Sequence, residues 1–114
     1  MQLLTKQIRT KLEANARKTE TEGEDDHRPV VKLFNPAGAA TWLLTELYPG
    51  DPDIAFGLCD LGTGSPELGS VSITELEAIT GPLGIGIERD MYFTADKTIS
   101  QYAAAARSAG YIAA

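Results

Sequence analysis

Between residues 30 and 73 the sequence alternates four apolar runs with turn-forming segments, and this alternation constrains the fold more than any other feature. The runs are rich in β-branched and aromatic residues and cover 30–34, 41–48, 54–61 and 68–73. The connections NPAG, PGDPD and GTGSP between them favour turns. Because such short connections join neighbouring strands, the pattern predicts an antiparallel meander of about four strands.

Two glycines, Gly57 and Gly69, fall inside the third and fourth runs. A glycine within a strand often marks a β-bulge or the close approach of another backbone. We therefore expect a local irregularity at both positions.

A helical signal precedes the strand region. Thr5 is placed to cap a helix over residues 6–17, and its apolar stripe repeats every four residues through Leu4, Ile8 and Leu12. The acidic segment 18–28 that follows contains no large apolar residue, so it predicts a mobile, exposed loop in which His27 is solvated.

Two further helical signals follow the strands. Ser72 with Glu75 forms a capping-box pattern that predicts a short helix over 74–79, and the glycine-rich segment 81–93 is typical of a turn followed by one more extended segment. A capping box at Thr98 predicts a C-terminal helix that ends at Gly110. The order of elements predicts an α+β fold, and 114 residues match one domain over 1–114.

The charge of the chain is uneven. The formal net charge is −6, and it comes entirely from residues 29–114, because residues 1–18 carry a net +4 and residues 19–28 a net −4. An acidic body argues against direct binding of nucleic acid or of an anionic membrane, since both select basic surfaces. The sequence also contains no apolar run of the roughly 18 residues that span a bilayer and no secretory signal, so we expect a cytoplasmic protein.

The residues that usually hold cofactors are scarce. The single cysteine, Cys59, lies in an apolar run and is expected to be a small core residue, and His27 is the only histidine. The glycine-rich segments 62–64 and 81–86 match neither the phosphate-binding loop nor the dinucleotide fingerprint. We therefore expect no metal ion and no cofactor.

Four carboxylates are the candidate interaction residues. Asp51, Asp53 and Asp60 bracket the third run, and Glu67 begins the fourth. Such acids can contact a basic partner, hold a cation or exchange protons, although turns also favour aspartate without any ligand. No catalytic residue is identified.

Two further side chains are candidates for lining a pocket. Trp42 is the sole tryptophan, which is usually a core residue but would also report a nearby ligand. Arg89 lies between Glu88 and Asp90 in an extended segment, so its side chain points away from both and is expected to form an ion pair with a carboxylate of the sheet.

Several strings, among them FGL, ELG, GPLG and ERD, together with the flanking helices, resemble one bacterial family over residues 3–112. This is the domain-of-unknown-function family 2958, whose members are often encoded on conjugative plasmids and other mobile elements. The resemblance implies a compartment and a genomic context, and it supplies no reaction, cofactor or catalytic residue.

Two functions from different classes fit these observations. The favoured one is a non-catalytic acidic interaction module of a mobile element, which binds a host or plasmid protein in counter-defence or plasmid maintenance. The alternative is a small-ligand or nucleotide-binding protein, or a small enzyme, with a carboxylate-lined pocket near Trp42, Asp60, Glu67 and Arg89. The oligomeric state is left open.

Overall fold

A computed structural model of the chain describes residues 2–114. Its helices and strands follow the predicted order. They are α1 (Lys6–Glu22), β1 (Val31–Phe34), β2 (Thr41–Tyr48), β3 (Asp51–Asp60), β4 (Glu67–Ser72), α2 (Ile73–Ala78), a 3-10 turn (Pro82–Gly84), β5 (Glu88–Arg89) and α3 (Ile99–Ala109).

The five strands form one antiparallel sheet in the order β4-β3-β2-β1-β5. The first four strands pair with their neighbours along the chain, which confirms the predicted meander and the α+β class. The extended segment after α2 supplies a fifth strand, because Arg89 pairs with Leu33 and Glu88 with Phe34 at the free edge of β1.

Helices cover both faces of the sheet. α1 and α2 pack on one face through a leucine-rich cluster, and α3 with the C-terminal segment packs on the other. The first cluster includes Leu12, Val31, Leu33, Trp42, Leu44, Leu47, Ala55, Ile73 and Leu76. The second consists of Leu43, Leu58, Ile99, Tyr102, Ala103, Ala106 and Ile112.

The predicted helix caps are present. The hydroxyl of Thr5 accepts a hydrogen bond from the Ile8 N–H at 3.1 Å, and Ser72 accepts one from the Glu75 N–H at 3.1 Å. The Thr98 N–H donates to the side-chain oxygen of Gln101 at 2.9 Å, which completes the capping box of α3. Each cap satisfies a backbone group that the helix itself leaves unpaired.

α1 extends beyond its predicted end at residue 17. It stops at Glu22, where Gly23 adopts the left-handed conformation at φ 69° and its N–H donates to the Thr19 carbonyl. This is the usual glycine helix stop, so the local stop signal lies at Gly23 rather than at the start of the acidic segment. The predicted loop over 18–28 is therefore wrong for its first five residues.

The predicted solvation of His27 is also wrong. Only 7% of this residue is exposed, and its Nε2 lies 3.0 Å from the hydroxyl of Thr19. Its carbonyl accepts a hydrogen bond from the Ile99 N–H at 2.8 Å. The segment after α1 is thus tied to the N-terminus of α3.

A β-bulge interrupts the pairing of β2 with β3. Leu44 pairs with Gly57 and Glu46 pairs with Phe56, so Thr45 is the extra residue. The Thr45 carbonyl accepts a hydrogen bond from the Asn15 side chain of α1 at 2.9 Å. Because strand side chains alternate between faces, the extra residue transfers Glu46 from the α1 face to the α3 face.

The two strand glycines differ. A Cβ at Gly57 would overlap the carbonyl oxygen of Leu43, whereas a Cβ at Gly69 would meet nothing within 4 Å. The predicted close approach is therefore confirmed at Gly57, beside the bulge, and is wrong at Gly69.

Candidate functional site

A groove opens on the α3 face of the sheet, beside the N-terminus of α3. It has a volume of about 490 Å³ and its floor comes from the part of β2, β3 and β4 that α3 leaves uncovered. We call it the acidic groove and define it by six of its lining side chains: Asp25, Asp26, Glu46, Tyr48, Phe56 and Leu68.

Glu46 lies on the floor of the acidic groove. It is only 5% exposed, and its carboxylate makes no hydrogen bond or ion pair with any residue in the described range 2–114. Each of its oxygens keeps some solvent-accessible surface, because no unpaired side-chain oxygen of the described residues is fully buried. Burying a carboxylate without a partner costs free energy, so Glu46 is a poor choice for stability alone.

Asp26 forms one wall of the acidic groove. Its two carboxylate oxygens accept hydrogen bonds from the Ser100 N–H at 2.9 Å and from the Ser100 hydroxyl at 2.7 Å. The hydroxyl of Ser100, followed by its backbone N–H, lowers the pKa of Asp26. Asp26 is therefore held ionised and in place at the first turn of α3, next to the exposed Asp25.

Apolar and aromatic surface completes the floor. Phe56 is the cross-strand partner of Glu46, and Tyr48 reaches across the sheet so that its hydroxyl lies 3.4 Å from the hydroxyl of Ser70. Tyr48 and Leu68 are each 37% exposed. Large apolar side chains left open beside a buried carboxylate are typical of a binding surface.

The charge of the acidic groove has a single sign. Three carboxylates line it, and no lysine or arginine among the described residues does. A carboxylate in a partly desolvated site attracts a cation by ion pairing. The negative faces of neighbouring aromatic rings attract the same cation. The arrangement is thus suited to binding a positively charged group.

Two of the sequence-predicted interaction residues, Asp51 and Asp53, lie at the start of β3 and do not line the acidic groove, although Asp51 pairs with Tyr48 at its edge. Asp53 accepts hydrogen bonds from the Ser72 hydroxyl and from the N–H and hydroxyl of Thr74, at 2.8 Å and 2.6 Å. The Ser72 and Thr74 hydroxyls lower the pKa of Asp53. Asp53 thereby fixes α2 to the sheet, and Asp51 remains exposed.

Asp60 has a structural position rather than a surface one. It is 2% exposed, and its two oxygens accept hydrogen bonds from the Gly62 N–H at 2.8 Å and the Ile112 N–H at 3.0 Å. These contacts hold the turn after β3 and the segment that follows α3. Because both oxygens face inward, Asp60 does not contribute to an exposed acidic surface.

Trp42 and Glu67 share a second depression, on the opposite face of the sheet. This depression, which we call the trough, has a volume of about 410 Å³ and is lined by residues that include Trp42, Cys59, Glu67, Gly69 and Val71. Trp42 itself is 3% exposed. Burial raises the pKa of the Cys59 thiol to about 11, so this cysteine is protonated at neutral pH.

Arg89 lies at the far edge of the sheet from Glu67, because β5 and β4 are the two outer strands. Its guanidinium donates a hydrogen bond to the Leu3 carbonyl, and the predicted ion pair is not formed. The ion pair of this region joins Lys32 to Asp90 at 3.6 Å. An arginine in an edge strand therefore secures the segment before α1 instead of reaching the sheet carboxylates.

Sequence reasoning missed the residues of the acidic groove. The available signal was Glu46, a charged residue in the middle of the apolar strand TWLLTELY. Asp25 and Asp26 carried no such signal, because they belong to an acidic run that is typical of a solvated loop. Their position becomes evident only from the contact between Asp26 and Ser100, 74 residues apart.

The described residues were examined for clusters that could hold a metal ion and for helices that could span a membrane. Across residues 2–114, no three histidine, cysteine, aspartate or glutamate side chains are grouped closely enough to hold a metal ion. None of the described helices has the length and apolar character to cross a membrane.

Comparison with known proteins gives one match. A family model described as a protein of unknown function, DUF2958, matches residues 3–113. A search of curated proteins and a search of solved structures found no significant match.

Proposed function

We propose that this chain, which belongs to the DUF2958 family, is a non-catalytic interaction module that binds a basic protein partner through the acidic groove. The observation that carries the proposal is Glu46, a residue that is only 5% exposed and whose carboxylate has no partner within residues 2–114. A binding partner that supplies a cation would compensate its burial.

The surroundings of Glu46 support a protein partner. The acidic groove combines apolar floor residues with carboxylates on its wall, which is the usual composition of a protein interface with a partly apolar centre and a polar rim. The two acids at the rim, Asp25 and Asp26, extend the negative field outward, so they accelerate the approach of a basic surface.

The wider context of the proposal comes from the resemblance of the sequence. We place the module in the cytoplasm of a bacterium that carries a plasmid or another mobile element, where its partner is a host or plasmid protein. Counter-defence and plasmid maintenance are the two processes in which such a module would act.

The proposal is tested with a purified partner and two matched charge reversals. Proteins captured from a bacterial lysate are identified, purified and titrated calorimetrically with the wild-type chain, with Asp25→Lys and with Glu88→Lys. Both acids are exposed, but only Asp25 lines the acidic groove, whereas Glu88 lies in the outer strand β5. Binding weakens by at least about tenfold for Asp25→Lys and for Glu46→Gln, while Glu88→Lys binds nearly as the wild type does.

Salt dependence gives the second readout. The affinity for the partner falls as the ionic strength rises, because exposed charges at the rim are screened. A partner whose affinity is unchanged by salt and equal for Asp25→Lys and Glu88→Lys would refute the proposal.

The trough favours the alternative of a small-ligand binding protein, because it joins Trp42 and Glu67 in one depression. Metal ions, nucleotides and cyclic nucleotides are added while the Trp42 fluorescence and the melting temperature are recorded. A ligand of the trough shifts both, and Glu67→Gln reduces its effect. If neither quantity changes with any of these probes, the alternative is rejected.

A further inference from the structure

The shape and chemistry of the acidic groove specify the cation more closely than its charge does. The inference rests on the proposed function, since it identifies the group of the partner that is recognised. We propose that the acidic groove is a guanidinium site, in which Glu46 binds the side chain of one arginine of the partner.

The Glu46 carboxylate is available to a ligand. Glu46 is nine-tenths buried as a residue and lies on the groove floor, and neither of its carboxylate oxygens is engaged by another residue of the described chain. A carboxylate with both oxygens available accepts two parallel N–H bonds from a guanidinium, and this fork geometry adds both energy and geometric specificity to the ion pair.

Two aromatic rings line the acidic groove with Glu46. Phe56 faces it across the strands, and Tyr48 lines the same groove, with its hydroxyl fixed near Ser70. The planar guanidinium stacks on aromatic faces and is weakly hydrated, so it enters a partly apolar groove at low cost. A lysine ammonium is compact and strongly hydrated, and it gains less from the rings.

The bulge in β2 determines on which face of the sheet Glu46 lies. On the α1 face of β2 this residue would lie in the leucine-rich core, and the bulge at Thr45 transfers it to the acidic groove instead. The bulge is held by the hydrogen bond from Asn15 and by the contact of Gly57 with the Leu43 backbone. Local backbone structure is therefore arranged so that one carboxylate faces this groove.

The site is tested by nuclear magnetic resonance with the full, isotope-labelled chain. N-acetyl-arginine methylamide is titrated first, followed by the matched citrulline derivative, which has the same shape without the charge, and by the matched lysine derivative. The arginine derivative is expected to give saturable shifts of the amide signals of Glu46, Phe56 and Ser100. The citrulline and lysine derivatives are expected to bind at least about tenfold more weakly.

Two variants identify the carboxylate responsible. Glu46→Gln keeps the shape of the side chain and is expected to weaken arginine binding by about tenfold, while Glu67→Gln in the trough leaves it unchanged. Asp25→Asn, at an exposed residue that no fold contact uses, weakens binding by a smaller factor and serves if Glu46→Gln fails to fold. Equal binding of arginine, lysine and citrulline derivatives, or saturable shifts confined to the trough, would overturn the site.

The outcomes also separate this inference from the proposed function. If the partner loses affinity with Asp25→Lys but the arginine derivative does not bind in the acidic groove, the guanidinium site is wrong and the interaction module stands. If the arginine derivative binds but no protein partner depends on the groove, the proposed function is wrong and the site recognises free arginine.

Discussion

At the scale of single residues, Glu46 and Asp60 show why burial alone does not define a role. Both are buried carboxylates of the sheet. Asp60 has both oxygens occupied by backbone N–H groups, so it stabilises the fold, whereas Glu46 has no partner within residues 2–114. The difference predicts that substitution lowers the stability at Asp60 and changes it little at Glu46.

Glu46→Gln is expected to change the free energy of unfolding by less than about 0.5 kcal/mol, because the carboxylate makes no contact within residues 2–114 that the amide would lose. The measurement is a urea denaturation curve of the variant against the wild type. A variant that is less stable by about 1 kcal/mol or more would mean that Glu46 contributes to the fold, which contradicts a role reserved for binding.

Asp60→Ala is expected to lower the free energy of unfolding by about 2–4 kcal/mol, since two buried N–H groups lose their acceptor. Asp51→Ala serves as the control and changes the stability by less than about 0.5 kcal/mol, because Asp51 is exposed. Equal small effects at both positions in chemical denaturation would show that the contacts of Asp60 are not maintained in solution.

Leu83 has a backbone conformation that opposes its side chain. It is 97% exposed and adopts φ 60°, the left-handed region that a leucine enters at a cost of roughly 1 kcal/mol or more. Leu83→Gly is expected to raise the stability by about 0.5 kcal/mol, because the relief of strain exceeds the added entropy of the unfolded chain. A loss of stability in thermal and urea unfolding would show that Leu83 makes a stabilising contact.

At the scale of elements, β2 with its bulge connects the fold to the acidic groove. The face on which Glu46 lies depends on the extra residue Thr45, and the close approach at Gly57 accompanies it. Any side chain at Gly57 must displace the backbone of β2.

Gly57→Ala is therefore expected to cost about 3 kcal/mol or more and to weaken binding in the acidic groove. Gly69→Ala is the matched control in the neighbouring strand, where the added methyl group meets nothing within 4 Å, and it is expected to be neutral or slightly stabilising. Similar melting temperatures for the two variants would disprove the close packing at the bulge.

The elements were largely predictable, and the bulge was indicated only from the neighbouring strand, by Gly57. Strand runs, turn residues and capping boxes are local signals, so the sheet, α2 and α3 followed from the sequence. The end of α1 was misjudged because the acidic residues after Lys18 favour a loop by composition, while Gly23 sets the actual stop. The extra residue Thr45 could not be located from TWLLTELY, because this segment has no strict alternation of apolar and polar residues that would specify the register.

At the scale of the whole molecule, the candidate site depends on contacts between distant segments. The acidic residues after α1 reach the N-terminus of α3, and the strands between them supply the floor. The sequence-based search concentrated on acids at strand ends, which the fold distributes over separate edges and faces. Only tertiary structure brings Asp26 and Glu46 to one groove.

The stability of the molecule is expected to fall on acidification. The pKa values of Asp26, Asp53 and Asp96 are lowered from 3.8, chiefly by hydroxyl hydrogen bonds. At low pH the unfolded chain therefore binds more protons than the folded chain. The stabilisation that these three carboxylates give to the fold is complete above pH 3.8 and is lost as the pH falls through their lowered pKa values in the folded chain. The urea midpoint, recorded between about pH 6 and pH 2, reports the loss.

Asp26→Asn isolates one of these contributions. The variant is expected to be less stable than the wild type at about pH 6 and to approach it at about pH 2, where Asp26 is protonated in the wild type as well. If the free energies of unfolding of the variant and the wild type differ by the same amount at every pH in this range, the hydrogen bonds from Ser100 do not depend on the charge of Asp26.

The most direct test of the acidic groove as the binding surface is to map where the partner contacts the chain. Amide chemical-shift changes are recorded for the full labelled chain as the purified partner is added. The largest changes are expected at Glu46, Phe56 and Ser100, which line the acidic groove and not the trough. Changes concentrated around Trp42 and Glu67 in the trough, with the groove amides unaffected, would contradict the assignment.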